Sequence, residues 1–177
     1  YLTEFEEYIT QYAAKLQTKP SVLAESMKYS LLNGGKRIRP VLALAIADVL
    51  KVDHSEVLPF AVAIEMIHTY SLIHDDLPSM DNDNYRRGRE TTHYKFGEDY
   101  AVLAGDALLN YAFETAVKAF TIEPEEALLI GRAISVLGEK AGIYGMIGGQ
   151  VIDVKNSGNA IEKEVLDKIH ELKTSAL

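Results

Sequence analysis

The sequence predicts an all-α fold, and three observations support that prediction. Apolar residues recur at spacings of three and four along most of the 177 residues, as they do on one face of a helix. Start and stop signals, such as Pro20 and the pair Gly34 and Gly35, separate these periodic segments. No segment shows the apolar–polar alternation of a strand. We therefore expect a helical bundle with short connections, formed as a single domain over residues 1–177.

Four helices are predicted before the first polar loop. The first carries an apolar stripe made of Leu2, Phe5, Ile9 and Tyr12. The second begins near Pro20 and closes at the glycine pair. The third, "RPVLALAIADVL", is apolar nearly all round, so it is expected to be buried on most sides. The fourth has Ser55 as its expected N-cap, and Pro59 is able to break or reset its first turn.

The rest of the chain is predicted to be a polar loop followed by further helices. The loop covers Met80 to Thr92, and the helices cover about 98–120, 124–141, 143–154 and 160–177. The last helix is amphipathic and reaches Leu177 without a Gly, Asn or Pro stop signal. This favours a chain that is interrupted there, and an ordinary frayed terminus is the alternative.

Composition argues against several classes of protein. The net charge is −8 and the isoelectric point is near 5.1, which argues against a general nucleic-acid binder. The chain has no cysteine, so disulfides, thiol catalysis and thiolate-bound zinc are excluded. No uninterrupted apolar run approaches the ~18 residues of a membrane span, and the acidic N-terminal segment is not a secretory signal. We therefore expect a cytoplasmic protein without a membrane span.

An acidic cluster follows the fourth predicted helix. Asp75, Asp76 and Asp81 have the spacing D-D-x-x-x-x-D. On an ideal helix, positions six apart point about 120° away from each other, so Asp75 and Asp81 would not converge on one ion. Pro78 removes an amide donor and clashes with the preceding turn, so the helix is expected to distort or end there. The distortion can bring the carboxylates together, and such oxygen ligands suit Mg²⁺.

Two alternatives compete with this metal site. A solvated acidic helix end is the simpler interpretation, although carboxylates are unfavourable at the negative end of the helix dipole. A calcium loop of the EF-hand type that begins at Asp81 would need Gly at its sixth position, where the sequence has Arg86. The calcium alternative therefore fails.

Cationic side chains accompany the acids. Arg86 and Arg87 lie just beyond the cluster, and "GGKRIRP" supplies Lys36, Arg37 and Arg39. Guanidinium and ammonium groups are the usual ligands of phosphate oxygens. Carboxylates that hold Mg²⁺ next to such cations indicate a diphosphate site. "GGKRIRP" alone would be weak support, because a helix end followed by a helix with Pro40 near its start explains it equally well.

His68 is a further candidate for this site. It lies seven residues before Asp75, and two helical turns place the two residues within about 20° of the same face. A lone histidine is more often structural. Because His68 shares a helix face with Asp75, a role of His68 in phosphate binding is favoured here.

Taken together, five segments resemble the polyprenyl synthases, and most closely the short-chain trans-isoprenyl diphosphate synthases of the bacterial farnesyl type. The segments are "GGKRIRP", "IEMIHTYSLIHDDLPSMDNDNYRRGRETTH", "FGEDYAVLAGDALL", "GGQVIDV" and "HELKTSAL". They occur in the order of the family and cover most of the chain. The resemblance implies an isoprenoid-synthase-type helical bundle. It also implies a prenyltransferase that joins isopentenyl diphosphate to dimethylallyl or geranyl diphosphate with the help of Mg²⁺.

The resemblance also implies roles for individual residues. Asp75 and Asp81 correspond to the Mg²⁺ ligands, with Asp76 in support, and Arg86 corresponds to an allylic-diphosphate contact. The isopentenyl-diphosphate site corresponds to Lys36, Arg39, His68 and Arg87. Lys173 is implied to bind the allylic diphosphate, Thr174 to stabilise the allylic cation, and Gln150 to lie near the growing chain.

Product length is implied to depend on Tyr70 and Ser71, which lie five and four positions before Asp75. In the family these positions form the floor of the pocket that receives the growing chain. The implied product is farnesyl diphosphate, with geranylgeranyl diphosphate as the alternative. An ordinary core tyrosine is the simpler interpretation of Tyr70, since the helical wheel places it about 140° from Asp75.

The chain departs from the family in two respects. Asn82 and Asn84 stand where many relatives have Asp, and we expect only a tuning effect. The second aspartate-rich motif of the family is absent, because Asp75–Asp76 is the only Asp-Asp pair. The sequence is therefore expected to be an N-terminal portion of the enzyme, incomplete at the C-terminus, lacking the C-terminal helices of the bundle and inactive by itself.

Other functions and assemblies remain open at this point. A truncated or regulatory subunit that binds diphosphate without catalysing condensation is the main alternative. A terpene cyclase is disfavoured, because a cyclase needs only one diphosphate and "GGKRIRP" indicates a second. The resemblance further implies a homodimer that acts on small diphosphate substrates.

Overall fold

The computed structural model describes all residues from Tyr1 to Leu177, and it confirms the all-α prediction. Its contacts group into two compact units, Tyr1–Ile122 and Glu123–Leu177. The expectation of one domain over the whole chain stays a prediction.

The first unit contains seven α-helices and one short hairpin. The helices are α1 (Leu2–Ala14), α2 (Ser21–Leu31), α3 (Ile38–Leu50), α4 (His54–Asp75), α5 (Thr92–Phe96), α6 (Glu98–Val117) and α7 (Ala119–Ile122). The hairpin pairs β1 (Tyr85–Arg86) with β2 (Arg89–Glu90) in antiparallel register, with Tyr85 opposite Glu90. The sequence analysis expected only a loop here, because strands of two residues are too short to show alternation.

The central helix of this unit is α4, which packs most extensively against α6 and also against α3. Its N-cap is Asp53, whose side chain accepts a hydrogen bond from the Ser55 amide at 2.8 Å, so the expectation that Ser55 is the N-cap was wrong. Both are good capping residues, and sequence alone does not decide between neighbours. Pro59 lies inside the helix without interrupting it.

α4 is apolar enough to raise the question of a membrane span. By length and composition alone it could cross a membrane, which the sequence analysis did not expect. Within the protein, 61% of its most apolar window is buried, and such burial is typical of a core helix. Most sides of α4 are buried, through residues that include Val62, Met66, Ile67 and Ile73, whereas the face that carries His68 and Asp75 is only partly buried.

α3 differs from its prediction. Leu44 is fully buried against the core, but Leu42 is 55% exposed and Val49 is 81% exposed. The expectation that this helix is buried on most sides was therefore wrong. An apolar sequence shows only that a helix could be buried all round, whereas the neighbours that the fold supplies decide which sides are covered.

The close approach of α6 to α4 depends on small residues. Ala101, Ala104 and Gly105 face the core without exposure. At Gly105 an added Cβ would collide with the imidazole of His74, so glycine is required for the ring to rest on α6. The His74 Nε2 atom also lies 3.2 Å from the carbonyl oxygen of Val102. This contact fixes the last turn of α4, where the acidic cluster begins.

The second unit is smaller and also helical. It contains a 3₁₀ turn (Pro124–Glu126), α8 (Ala127–Ala141), α9 (Met146–Asn156), α10 (Lys163–Ile169) and a π-helical segment (His170–Ser175). The π segment packs against α9. Gly149 allows this approach, because a Cβ there would collide with the backbone of Lys173. The sequence analysis expected one continuous helix over 160–177 and did not anticipate the π segment.

The two faces of α3 allow a matched stability test. We expect Leu44→Ala to lower the free energy of unfolding by about 2–5 kcal/mol, because it leaves a cavity in the core. The same substitution at Leu42 is expected to change it by no more than about 0.5 kcal/mol, because that side chain is exposed. Urea denaturation of both variants measures the difference. Equal losses would show that the outer face of α3 is covered.

Candidate active site

The acidic cluster is built by the way in which α4 ends. The helix stops at Asp75, and the chain beyond Pro78 turns back toward it. The amide of Asp81 donates a hydrogen bond to the carbonyl oxygen of Asp75 at 2.9 Å, and the amide of Asp83 donates to that of Asp76 at 3.2 Å. The structure thus shows the turn that the sequence analysis expected from proline. It returns Asp81 to the end of the helix, which a continuous helix could not do.

Asp76 forms an ion pair with Arg86. It is only 3% exposed, and the Nε atom of Arg86 lies 2.9 Å from each of its carboxylate oxygens. A second guanidinium nitrogen lies 2.6 Å from Oδ1. The hydrogen bonds that Arg86 donates to Asp76 raise the pKa of Arg86, although burial opposes this. Asp76 thus orients the guanidinium of Arg86. Its supporting role at a metal site stays a prediction.

Asp75 and Asp81 are the residues whose chemistry fits Mg²⁺. Mg²⁺ commonly binds one or two carboxylates, several waters and substrate phosphates instead of a complete protein cage. No group of three or more His, Cys, Asp or Glu side chains in the structure is arranged to hold an ion alone. Asp75 and Asp81 would supply two of the ligands of Mg²⁺, and the phosphate oxygens of a substrate would supply others.

A cationic cavity lies in the same unit as the acidic cluster. It has a volume of about 410 Å³ and is lined by Gly35, Lys36, Arg37, Ile38, Arg39, Glu65, His68 and Arg87. The four residues that the resemblance assigned to isopentenyl diphosphate are thus brought to one cavity from separate segments. The Nε atom of Arg39 is buried and has no hydrogen-bond partner in the protein. A buried donor of this kind is costly, and an anionic ligand would satisfy it.

The hairpin reaches the cavity through Arg87. Its guanidinium donates a hydrogen bond to the carbonyl oxygen of Gly34. The guanidinium also occupies the place where a side chain of Gly35 would stand. Gly35 has φ +138, a conformation that other residues rarely adopt. Glycine is therefore needed at this position both for the backbone and for the approach of Arg87.

The surroundings of His68 keep its ring neutral. Burial, followed by the charges of Arg39 and Arg87, lowers the pKa of His68 to about 4. At neutral pH the ring therefore has one nitrogen that donates and one that accepts a hydrogen bond. A diphosphate in the cavity would add negative charge and favour the imidazolium form.

Tyr70 and Ser71 lie on α4, five and four residues before Asp75. The Tyr70 side chain is buried, and its ring meets that of His74 edge to face at a centroid distance of 5.7 Å. Burial, followed by the charge of Asp75, raises the pKa of Tyr70. Ser71 donates a hydrogen bond to the carbonyl oxygen of His68 at 2.9 Å. A buried ring held by a neighbour can limit a pocket, although their role as a floor stays a prediction.

The remaining predicted residues belong to the second unit. Lys173 and Thr174 lie in the π segment, and Gln150 lies on α9. π-helical turns are rare in proteins, and those that occur are often at functional sites. The location of Lys173 and Thr174 therefore agrees with a functional role for both residues. The ammonium of Lys173 donates a hydrogen bond to Asp153 at 2.6 Å. Sequence reasoning missed Asp153, although it lies within "GGQVIDV", three residues after Gln150.

Comparison with known proteins identifies the family. The family model described as polyprenyl synthetase matches residues 20–177. The fold and the site define the class: an all-α protein with a carboxylate cluster at the end of α4 and a cationic cavity in the same unit. The chain belongs to the polyprenyl synthetase family.

Individual relatives show how much of the chain is shared. A farnesyl diphosphate synthase of Geobacillus stearothermophilus is 47% identical over 174 residues, which cover 97% of this chain and 57% of the relative. The large subunit 1 of a heterodimeric geranylgeranyl pyrophosphate synthase of Arabidopsis thaliana is 48% identical over 162 residues, which cover 90% of this chain and 44% of the relative. The chain thus spans about half the length of these relatives.

Solved structures agree with this assignment. The crystal structure of a geranyltransferase from Legionella pneumophila superposes with a TM-score of 0.93 at 36% identity. The superposition covers 99% of this chain and 62% of that structure. The likeness confirms that the chain has the helical fold of this family.

The pKa of His68 can be tested directly. We expect an NMR titration of the ring to give a pKa near 4 in the free protein, and a higher pKa when pyrophosphate is bound. Because the unfolded chain binds a proton below pH ~6.5 that the folded chain does not, stability should rise with pH between about 4 and 6.5. His68→Gln should flatten this rise. A free-protein pKa near 6.5 would contradict the prediction.

Proposed function

We propose that the protein is a prenyltransferase that condenses isopentenyl diphosphate with an allylic diphosphate. The observation that carries the proposal is the pairing of two sites in one unit. The backbones of Asp75 and Asp81 are hydrogen-bonded at the end of α4, and a separate cavity collects Lys36, Arg39 and Arg87. A condensation of two diphosphates needs one site that activates a leaving diphosphate and another that holds the second substrate.

The acidic site would bind the allylic diphosphate. When bound there, Mg²⁺ would neutralise the charge that develops on the leaving diphosphate. Asp75 and Asp81 would hold it, and Arg86, kept in place by Asp76, would contact a phosphate oxygen. Donors that are fixed before the reaction stabilise developing charge most effectively, because they need no reorganisation. Lys173 and Thr174 are proposed to act on the same diphosphate and on the allylic cation.

The cationic cavity would hold isopentenyl diphosphate. Lys36, Arg39 and Arg87 supply positive charge, and neutral His68 supplies a hydrogen bond. The double bond of this substrate attacks the allylic cation, a carbon–carbon bond forms, and a proton is then lost. Water must be excluded from the cation, and the apolar side chains of α4 provide a dry wall for it. Gln150 is proposed to lie near the growing chain.

Farnesyl diphosphate is the product that we propose, with geranylgeranyl diphosphate as the alternative. The relatives include synthases of both products, so the choice rests on Tyr70 and Ser71. A bulky buried ring resists elongation, because a close-packed interior does not open without cost.

The assembly and location of the protein are part of the proposal. We propose a homodimer, and one relative described as the large subunit of a heterodimeric synthase makes a mixed pair the alternative. A subunit that binds diphosphate without condensing it stays the second candidate function. A cytoplasmic location also stays a proposal.

The carboxylates provide the test of the proposed function. In the protein that carries this chain, Asp75→Asn with Asp81→Asn should lower Mg²⁺-dependent condensation by about 10²–10³-fold or more, because the leaving diphosphate loses its charge stabilisation. Product formation from isopentenyl and dimethylallyl diphosphates is the measurement. The matched control is Asp99→Asn with Asp167→Asn, which makes the same charge change at exposed positions.

The outcomes separate the candidate functions. Near-normal condensation by the Asp75 and Asp81 double variant would refute the proposed site. A wild-type protein that binds both diphosphates in the presence of Mg²⁺ but forms no product would support the non-catalytic subunit.

Chain length is tested at Tyr70. Tyr70→Ala is expected to shift products toward geranylgeranyl and longer diphosphates, because it removes a buried ring from the pocket. The matched control is Tyr94→Ala, at an exposed tyrosine. Chromatography of the dephosphorylated products gives the distribution. An unchanged distribution in Tyr70→Ala would show that this ring is not the floor.

A further inference from the structure

Arg37 is the one cation of "GGKRIRP" that the structure turns into the protein. Its side chain is 1% exposed, whereas Lys36 and Ile38 on either side are exposed. The backbone of Arg37 has φ 47 and ψ 35, in the left-handed region that residues other than glycine rarely adopt. This conformation is unfavourable by itself, so other contacts must maintain it.

Three hydrogen bonds hold the Arg37 guanidinium, one from each nitrogen. NH1 lies 2.6 Å from Glu65 Oε1, Nε lies 2.7 Å from Glu6 Oε1, and NH2 lies 2.9 Å from the carbonyl oxygen of Leu31. These partners come from α4, from α1 and from the end of α2. The fork shape of the guanidinium is needed to reach all three at once, and an ammonium group lacks that shape.

Glu65 is the buried partner of this contact. It is the carboxylate in the lining of the cationic cavity, and it is almost fully buried. Burial by itself lowers the pKa of Arg37, but the hydrogen bonds that Arg37 donates to Glu6 and Glu65 outweigh this effect and raise the pKa. The carboxylate charge in the cavity is thus neutralised by Arg37. Lys36, Arg39 and Arg87 make no ion pair with a carboxylate.

We infer that Arg37 and Glu65 form a positioning pair for the isopentenyl-diphosphate site, although Arg37 itself does not touch the substrate. The pair fixes the left-handed backbone conformation of Arg37. This conformation places Lys36 and Arg39, the residues on either side of the turn, in the lining of the cavity. The ion pair also neutralises Glu65, which would otherwise repel a diphosphate. The inference rests on the proposed function, because it concerns the cavity assigned there to the second substrate.

The alternative is that Arg37 contributes only positive charge to the cavity. The two explanations predict different results for Arg37→Lys, because lysine keeps the positive charge of arginine and loses its planar fork. If charge alone matters, Arg37→Lys retains affinity for the anion. If the fork holds the turn, Arg37→Lys fails, because one ammonium group cannot keep the Glu6, Glu65 and Leu31 contacts together.

The experiment is calorimetric titration of the protein with isopentenyl diphosphate and, separately, with inorganic pyrophosphate. Both are titrated in EDTA, so that the metal-dependent site does not contribute. The variants are Arg37→Lys and the double variant Arg37→Met with Glu65→Met, which removes both charges and so leaves no uncompensated buried ion. The control is Arg132→Lys, at an exposed arginine of α8. Dimethylallyl diphosphate with Mg²⁺ is titrated in parallel to report the other site.

We expect both variants to bind isopentenyl diphosphate and pyrophosphate at least tenfold more weakly than wild type. Binding of dimethylallyl diphosphate with Mg²⁺ should change by less than twofold, as should every titration of Arg132→Lys. A general loss of structure would weaken both sites together, so the selective loss is the signature of positioning.

Three results would overturn the inference. Arg37→Lys that binds within twofold of wild type would show that charge suffices. Equal weakening of both sites would show a general structural role. Wild type that binds neither isopentenyl diphosphate nor pyrophosphate would remove the site itself. Wild type that binds pyrophosphate but not isopentenyl diphosphate would refute only the proposed substrate, and the comparison of variants with pyrophosphate would still decide the role of Arg37.

Discussion

The ion pair between the buried Asp76 and the partly exposed Arg86 is the interaction on which the rest of the site depends. It ties the end of α4 to the hairpin through hydrogen bonds of 2.6 and 2.9 Å. The hairpin in turn places Arg87 on the glycine pair of "GGKRIRP". A single ion pair thus connects the carboxylates at the helix end with the cations of the cavity.

The carboxylates and the cations of this region differ in burial and in pairing. Asp76 and Glu65 are buried and each is matched by an arginine, whereas Lys36, Arg39 and Arg87 have no carboxylate partner. Pairing removes the cost of the buried carboxylates, and the cations that remain set the sign of the field in the cavity. An acidic protein with a net charge of −8 can therefore hold a strongly basic pocket. Composition gives only the net charge and does not show this cavity.

Much of the fold followed from local pattern. The helices of the second unit and the long helix before the acidic cluster were expected close to their observed positions, because a 3.6-residue period and glycine or proline signals are local properties. Errors arose where a choice depended on neighbours. α3 was expected to be buried on most sides, and the capping of α4 was assigned to Ser55 although Asp53 performs it. The π segment also depends on a neighbour, since it packs where Gly149 admits its backbone.

The sequence by itself determined the helical class, the end of α4 before Pro78 and the residue types of the acidic and cationic sites, since these follow from periodicity, backbone chemistry and motif spacing. Only the tertiary structure decided which charges face each other. "GGKRIRP" presents three cations of equal standing, and the fold buries Arg37 against Glu65 while leaving Lys36 and Arg39 for the cavity. Asp153, which holds Lys173, was likewise visible only in space. The reason is that an ion pair joins residues distant in sequence, and no local pattern records which of several identical charges will meet.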